Sequence, residues 1–494
     1  MKKRIILLFA IAITSISGLL LSGFFFYSCR YCNVFKTEFA LPAYELPTGP
    51  HFNNKLNNSS LVNQSILVGL EKVLWAFTRL QRAGGFPLGS KLDGSLMWSD
   101  RGPECPLFLR EFSIQDGTPL VGSIYLKMYS IEPNPVYLHI ATEVGDAILA
   151  VQDKNGGFYY DGKRHRDGTG YDPHPLNTRG STILDDNVMQ SCMSYLLDLY
   201  NTTMDSKYLI GFEKSFSCLN SIELPHGAWK QRSNYSDGAY QSQATLNDNA
   251  LHDTVMVLLK AYSMFPAKVQ YLNAAMRAGD FLILTQGNGG SEIQHGWAQQ
   301  YDINLQPCWA RDFEPPAICS LDTATSIDIL MELFLTTNDT KWLDPIPNAI
   351  TWLNSSETKL DESTWSRLYE LETNIPIYGI DSGKSKNPQY TYNIQDARLG
   401  YTWQLSFYIP KTLENYQQLV NLSYSIPQYL EWRSELPSIK FQEKQAYNII
   451  QMLNSDGFLV TEGSWISGDE IISTHFASNC QQIFLYLDAA LGLF

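Results

Sequence analysis

The sequence predicts an all-α fold: an α/α toroid, an incomplete ring of helical hairpins with minor short β segments. Three observations carry that expectation. Apolar residues recur at helical spacing from Leu61 onward, with Leu67, Leu70, Leu74, Phe77 and Leu80 on one face. Helical runs end in similar glycine turns: Gln81-Arg-Ala-Gly-Gly-Phe86, Gln152-Asp-Lys-Asn-Gly-Gly-Phe158, Leu224-Pro-His-Gly-Ala-Trp229, Gln286-Gly-Asn-Gly-Gly290 and Leu453-Asn-Ser-Asp-Gly-Phe458. The helix–turn–helix unit recurs about every 60–75 residues, which suits hairpins stacked around an axis.

The elements follow in order. Lys2, Lys3 and Arg4 precede an almost unbroken apolar run from Ile5 to Phe26. As a helix it would be about 33 Å long, enough to span a bilayer. Residues 1–27 therefore read as a signal peptide or an N-terminal membrane anchor, and either exports the chain. Acylation at Cys29 is the weaker alternative, because Phe26-Tyr27-Ser28 is bulky for a lipobox. Residues 28–60, rich in Pro and Asn, read as a linker or wrapping arm, and 61–494 as the toroid. Helix openers are expected near Ser181, Thr245, Asp322/Thr323 and Ser473. Short strands are expected near the glycine turns and around 375–392.

Composition narrows the class. Hydrophobic content of 44% and aromatic content of 13% supply a large core and exclude a disordered chain. A net charge of −14 argues against a nucleic-acid partner. An anionic polysaccharide is compatible if arginines or a metal cluster locally. Of the eight cysteines, Cys308/Cys319 and Cys192/Cys218 are candidate disulfides, with buried free thiols as the alternative. No Cys or His spacing matches a zinc site.

Two helix starts look alike: Ser181-Thr-Ile-Leu-Asp-Asp-Asn-Val-Met-Gln190 and Ala244-Thr-Leu-Asn-Asp-Asn-Ala250. In a toroid the inner helices begin at one end, so Arg179, Asp185, Asp186, Asp248 and Asp322 should surround one mouth. Converging acids can bind a metal or do acid/base work. Capping of the helix N-termini is the structural alternative.

The segment Trp297-Ala-Gln-Gln-Tyr-Asp302, continuing through Leu305, Pro307 and Ala310-Arg-Asp-Phe-Glu314, is polar, aromatic and too irregular for a core helix. It resembles the central motif of the family-10 pectate lyases, with Phe313 in place of Tyr. Other motifs follow in family order. They are Asp185, Asp186 and Gln190; Asn247-Asp-Asn-Ala-Leu251; Trp365-Ser-Arg-Leu-Tyr-Glu-Leu371 with Asn374-Ile-Pro376; and Arg398-Leu-Gly-Tyr-Thr-Trp403. Three positions depart: Asn249 replaces an acid, and Ile375 and Ile380 stand where the family carries arginines.

The resemblance implies a polysaccharide lyase that cleaves a uronate polymer such as polygalacturonate by Ca²⁺-assisted β-elimination. It assigns Asp248, Asp186 and Asp185 to the metal and Arg311 to proton abstraction. Arg398, Arg367, Asp186 and Trp297 would bind substrate. Trp229, Trp309, Tyr369 and Trp403 are further candidates for stacking on sugar. The expected protein acts as a monomer on an anionic polysaccharide and is tethered to a membrane if the N-terminal segment is retained. Two alternatives remain at this level: a hydrolase or epimerase using Asp186 and Asp248 as acid and base, or a tethered glycan-binding protein without turnover.

Overall fold

The structure, a computed structural model, describes residues 61–108, 110–164, 171–173, 182–381, 389–435 and 437–491. The segments 1–27 and 28–60, Arg179 and Ser181 lie outside the described residues. Among those described, no helix is long and apolar enough to cross a membrane.

The described residues form thirteen α-helices. The first seven are α1 (Leu61–Thr78), α2 (Thr118–Ile131), α3 (Pro135–Val151), α4 (Val188–Thr203), α5 (Ser206–Ser221), α6 (Ala250–Met264) and α7 (Gln270–Thr285). Then come α8 (Ser320–Thr337), α9 (Ile346–Asn354), α10 (Ile409–Asn421), α11 (Ile426–Ser434), α12 (Ile439–Gln451) and α13 (Ser473–Leu491). Consecutive helices pair as α2/α3, α4/α5, α6/α7 and α12/α13. One member of each pair joins an inner row, in which α13 packs on α2, α2 on α4, α4 on α6, α6 on α8 and α8 on α10. This is the α/α toroid expected from the sequence. Position in the row shows in composition: α8 buries residues all round, including Ala324, Ile327, Leu330 and Phe334.

Glycine turns end the outer helices as the sequence suggested. Gly156 and Gly227 take φ of +101° and +92°, which side chains rarely adopt. A Cβ on either would also collide with the backbone carbonyl of Lys214 or Arg277.

After the turns the chain runs in short antiparallel strands across the mouth of the row. One sheet of five joins Tyr390–Thr391, Pro376–Gly379, Leu368–Glu370, Ala317–Cys319 and Trp297–Ala298 in that order. The short strands and bridges together carry a repeat that the helical pattern does not reveal. Trp229, Trp297 and Trp365 stand sixty-eight residues apart in each step, and all three are buried. Two residues past each tryptophan, a carbonyl accepts from the chain entering an inner helix: Gln231 O from Leu184 N, Gln299 O from Leu246 N and Arg367 O from Ser320 N. Tyr301 and Tyr369 repeat a further contact, accepting from the backbone N–H of Ala298 and Ser366. Each unit is thus stapled to the start of an inner helix by the same strand.

Two expectations are corrected. The cysteines Cys192, Cys218, Cys308 and Cys319 are all free thiols, three of them buried. Nor do Ser, Thr or Asp side chains cap α4, α6 or α8. Left-handed asparagines, Asn187 and Asn249, occupy the N-cap positions of α4 and α6.

Candidate functional site

The two similar acidic motifs fold into the same local structure. Asp185–Asn187 and Asn247–Asn249 are single 3₁₀ turns, each with two successive residues at positive φ. Asp186 and Asn187 have φ of 51° and 57°; Asp248 and Asn249 have 54° and 57°. Aspartate and asparagine tolerate this conformation better than other side chains, which explains why both motifs spell Asp-Asn there. The two turns pack directly against each other. Asp186 and Asp248 are therefore equivalent residues brought side by side, and their carboxylates are not consumed in capping.

Their surroundings differ. Asp248 is half-buried and accepts from Asn247 Nδ2 at 2.7 Å, while Asn247 Oδ1 accepts from Gln299 at the same distance. Burial, then repulsion from Asp186 and Asp185, pushes Asp248 up to about 7. Asp186 is open to solvent on one side. Protein crowding on its other sides, followed by Asp185, pushes it up to about 6, though solvent screening weakens the effect. Asp322, on the first turn of α8, is 2% exposed, and burial raises it to about 7. Its Oδ2 has no hydrogen-bond partner among the described residues. The mouth thus holds three acids whose ionisation is resisted.

Asp185 is committed elsewhere. Its Oδ2 accepts from Arg232 Nη2 at 2.7 Å and Nε at 3.1 Å, and the same Nη2 donates to Tyr160 at 2.6 Å. Burial works against the Arg232 charge, but Asp185 outweighs it and holds the guanidinium above its ordinary range.

Opposite the acids, two aromatic rings arrange three arginines. Phe313 and Tyr401 meet edge to face at 5.3 Å. Arg311 lies 5.0 Å from the Phe313 ring and 5.8 Å from Tyr401, Arg398 lies 4.2 Å from Phe313, and Arg367 lies 4.8 Å from Tyr401. Arg311 forms a bidentate pair with the buried Glu314, through Nε at 2.7 Å and Nη2 at 2.5 Å. Glu314 also accepts from the Tyr401 hydroxyl at 2.9 Å. Burial alone would lower the Arg311 pKa, but the Glu314 pair outweighs it and keeps Arg311 firmly protonated. Arg367 donates Nε to Thr402 O at 2.7 Å. Arg398 pairs with the exposed Asp381 and borders a pocket of 590 Å³ lined also by Ile380, Tyr390, Asp396 and Leu399. Ile375 is 46% exposed, so its place offers apolar surface where an arginine would offer charge.

The structure therefore brings together Asp185, Asp186, Asp248, Asp322, Arg311 and Arg367, with Arg398 one ring further out. Trp297 does not join them. It is fully buried, its Nε1 donates to Leu282 O at 2.8 Å, and it is a core residue rather than a sugar platform. Trp297→Ala is expected to cost about 3–5 kcal/mol of stability, read by denaturant unfolding, rather than to raise KM alone. Trp229, Tyr369 and Trp403 are equally buried; among the four further stacking candidates only Trp309 is partly exposed. An Arg311–Glu314 pair closing this loop is readable in the sequence, but Tyr401 and Arg232 were missed as partners. Tyr401 lies inside a quoted motif, whereas Arg232 carries no local signal.

Among the described residues no group of three or more His, Cys, Asp or Glu side chains is arranged to hold a metal. Arg232 holds Oδ2 of Asp185, while Asp185 Oδ1 is buried with no hydrogen-bond partner among the described residues. Asp186 and Asp248 fit Ca²⁺ as donors. They are hard oxygens, Asp186 raises the pKa of Asp248, and a divalent cation would relieve that repulsion, with other oxygens completing its shell.

The family model of pectic acid lyase matches residues 152–364. No curated protein matches the sequence. Among solved structures, a family 10 polysaccharide lyase from Cellvibrio cellulosa aligns at 18% identity and a TM-score of 0.47, covering 62% of this chain and 97% of that one. A mutant of that lyase was solved with trigalacturonic acid. A cellobiose 2-epimerase from Bacillus thermoamylovorans aligns at 11% identity and a TM-score of 0.47, covering 86% and 98%. The stretch 152–364 is thus similar to pectic acid lyase, and the mouth lies within or beside it.

Proposed function

We propose that this pectic acid lyase-like chain cleaves a uronate-containing polysaccharide, such as polygalacturonate, by Ca²⁺-assisted β-elimination. The observation that carries the reading is the convergence of two equivalent Asp-Asn turns on one side of a mouth and an Arg311–Glu314–Tyr401 cluster on the other. In this reading Arg367 and Arg398 bind uronate carboxylates, since guanidinium suits carboxylate geometry. Asp186 and Asp248 would hold Ca²⁺, which supplies positive charge against the enolate-like carboxylate that forms when the C5 proton leaves. Arg311 takes the C5 proton. It must first give up a proton of its own, which the Glu314 pair resists, so the step needs that pair to loosen and is favoured by alkaline pH. We place the site outside the cytoplasm, because the basic and then apolar start of the chain directs export.

One observation favours a second reading. Asp186 and Asp248, pushed up to about 6 and about 7, could share acid and base roles in glycoside hydrolysis near neutral pH. Products separate the two. Elimination yields a C4–C5 unsaturated sugar with strong ultraviolet absorbance, whereas hydrolysis yields reducing ends without it. Binding without either product would leave only the glycan-binding role.

A further inference from the structure

We propose that Trp465 is a sugar-stacking platform on the rim of the mouth, taking one pyranose ring of the polymer beyond the reacting residues; this rests on the polysaccharide reading above. All eleven tryptophans lie in described segments, and Trp465, at 41%, is the only one among the exposed large hydrophobics. Among the described residues no other ring or cation stacks on it. A large exposed indole suits the apolar C–H face of a sugar.

Its position follows from the repeat. The strand Asp469–Ile472 leads into α13, an inner-row helix, and Ser473 N donates to Leu88 O just as Ser320 N donates to Arg367 O. The loop bearing Trp465 therefore belongs to the same end of the row as the acids. Gly102 lies against the indole: a Cβ there would stand 3.1 Å from Cζ3 and 3.2 Å from Cε3. Two residues earlier, Asp100 is close enough to help raise Asp186. Trp465 is thus one short loop removed from the acidic turn.

The platform is also built rigidly. Glu470 is fully buried, and its carboxylate holds this loop. It accepts from Ser464 N at 2.7 Å, Ser464 Oγ at 2.6 Å, and Trp465 N and Ile466 N at 3.2 Å each. Ile466 packs on Leu88, Trp98 and Ile472. A buried charge spent on fixing an exposed loop has its use when the loop's side chain must be ready before a ligand arrives.

The test compares wild type, Trp465→Ala and Trp465→Phe for retardation in native gels containing polygalacturonate or a neutral polysaccharide, and for steady-state rates on polymer and on a trimer. Trp465→Ala should weaken polymer binding and raise its KM by about tenfold, with kcat and the trimer KM within twofold. Trp465→Phe should recover most of the loss. Unchanged polymer binding by folded Trp465→Ala overturns the platform, as does a loss of kcat or melting temperature that Phe does not repair. If wild type gives no unsaturated product but is retarded by a glycan, the lyase reading fails and the gel comparison alone decides Trp465. If wild type is retarded by none, both fail.

Discussion

Arg311→Ala is expected to lower kcat by about 10²–10⁴-fold, the range for loss of a positioned proton acceptor. The substitution also removes the cation from Glu314, 2% exposed and left with the Tyr401 hydroxyl and the backbone N–H at position 311 as donors, so part of any loss could reflect local repacking. Two further variants separate chemistry from structure. Arg311→Lys keeps a cation beside Glu314 and should restore stability without restoring turnover. Glu314→Gln removes the strongest hold on the Arg311 proton. If Arg311 is the base, log kcat of the wild type climbs with pH through the alkaline range, because the deprotonated fraction grows about tenfold per pH unit. Glu314→Gln should then shift that climb to lower pH. A flat profile in both proteins, with activity lost in Glu314→Gln, would make Arg311 a fixed cation that binds carboxylate.

The acids at the mouth should make the protein less stable as pH rises, and Ca²⁺ should reverse this. Asp248 and Asp322 are held at about 7, above the ordinary 3.8 of an unfolded aspartate. Groups raised in this way are no burden below about pH 4. Their contribution is lost as pH climbs through 7, where folding must tolerate charges that the unfolded chain carries freely. The loss should be on the order of a few kcal/mol, a few degrees in melting temperature. Ca²⁺ binds the ionised carboxylates of Asp186 and Asp248, so it should raise the melting temperature at pH 8 and do little at pH 5. Asp248→Asn should be more stable than wild type at pH 8 without Ca²⁺ and should lose the Ca²⁺ response. Asp322→Asn should gain stability in the same way but keep the response. Equal melting temperatures with and without Ca²⁺ at pH 8 would remove the metal from the account.

Helical periodicity and the glycine turns made the hairpins legible, because both are local. The acid pairs were legible as a repeat, but their conformation was not. Asp186 and Asp248 look like N-caps in sequence, and only the backbone shows two left-handed residues that hand the cap to asparagine. The partner of Asp185 could not be read, because Arg232 arrives from forty-seven residues away across a bridge between Ile183 and Arg232. Trp297 was misread for a related reason. A tryptophan in a polar, irregular segment looks available to ligand, yet here it recurs every sixty-eight residues as the core anchor of each unit. The arginine departures at Ile375 and Ile380 were visible at once. Their surroundings, in which Arg398 pairs with the acid Asp381 beside Ile380, needed the fold.

The central claim is tested most directly by ultraviolet absorbance of polygalacturonate incubated with the full chain, in Ca²⁺ and in EGTA, beside Arg311→Ala. The account predicts a rise in absorbance that EGTA suppresses and Arg311→Ala lacks. Reducing ends released without that absorbance would contradict it and assign Asp186 and Asp248 to hydrolysis.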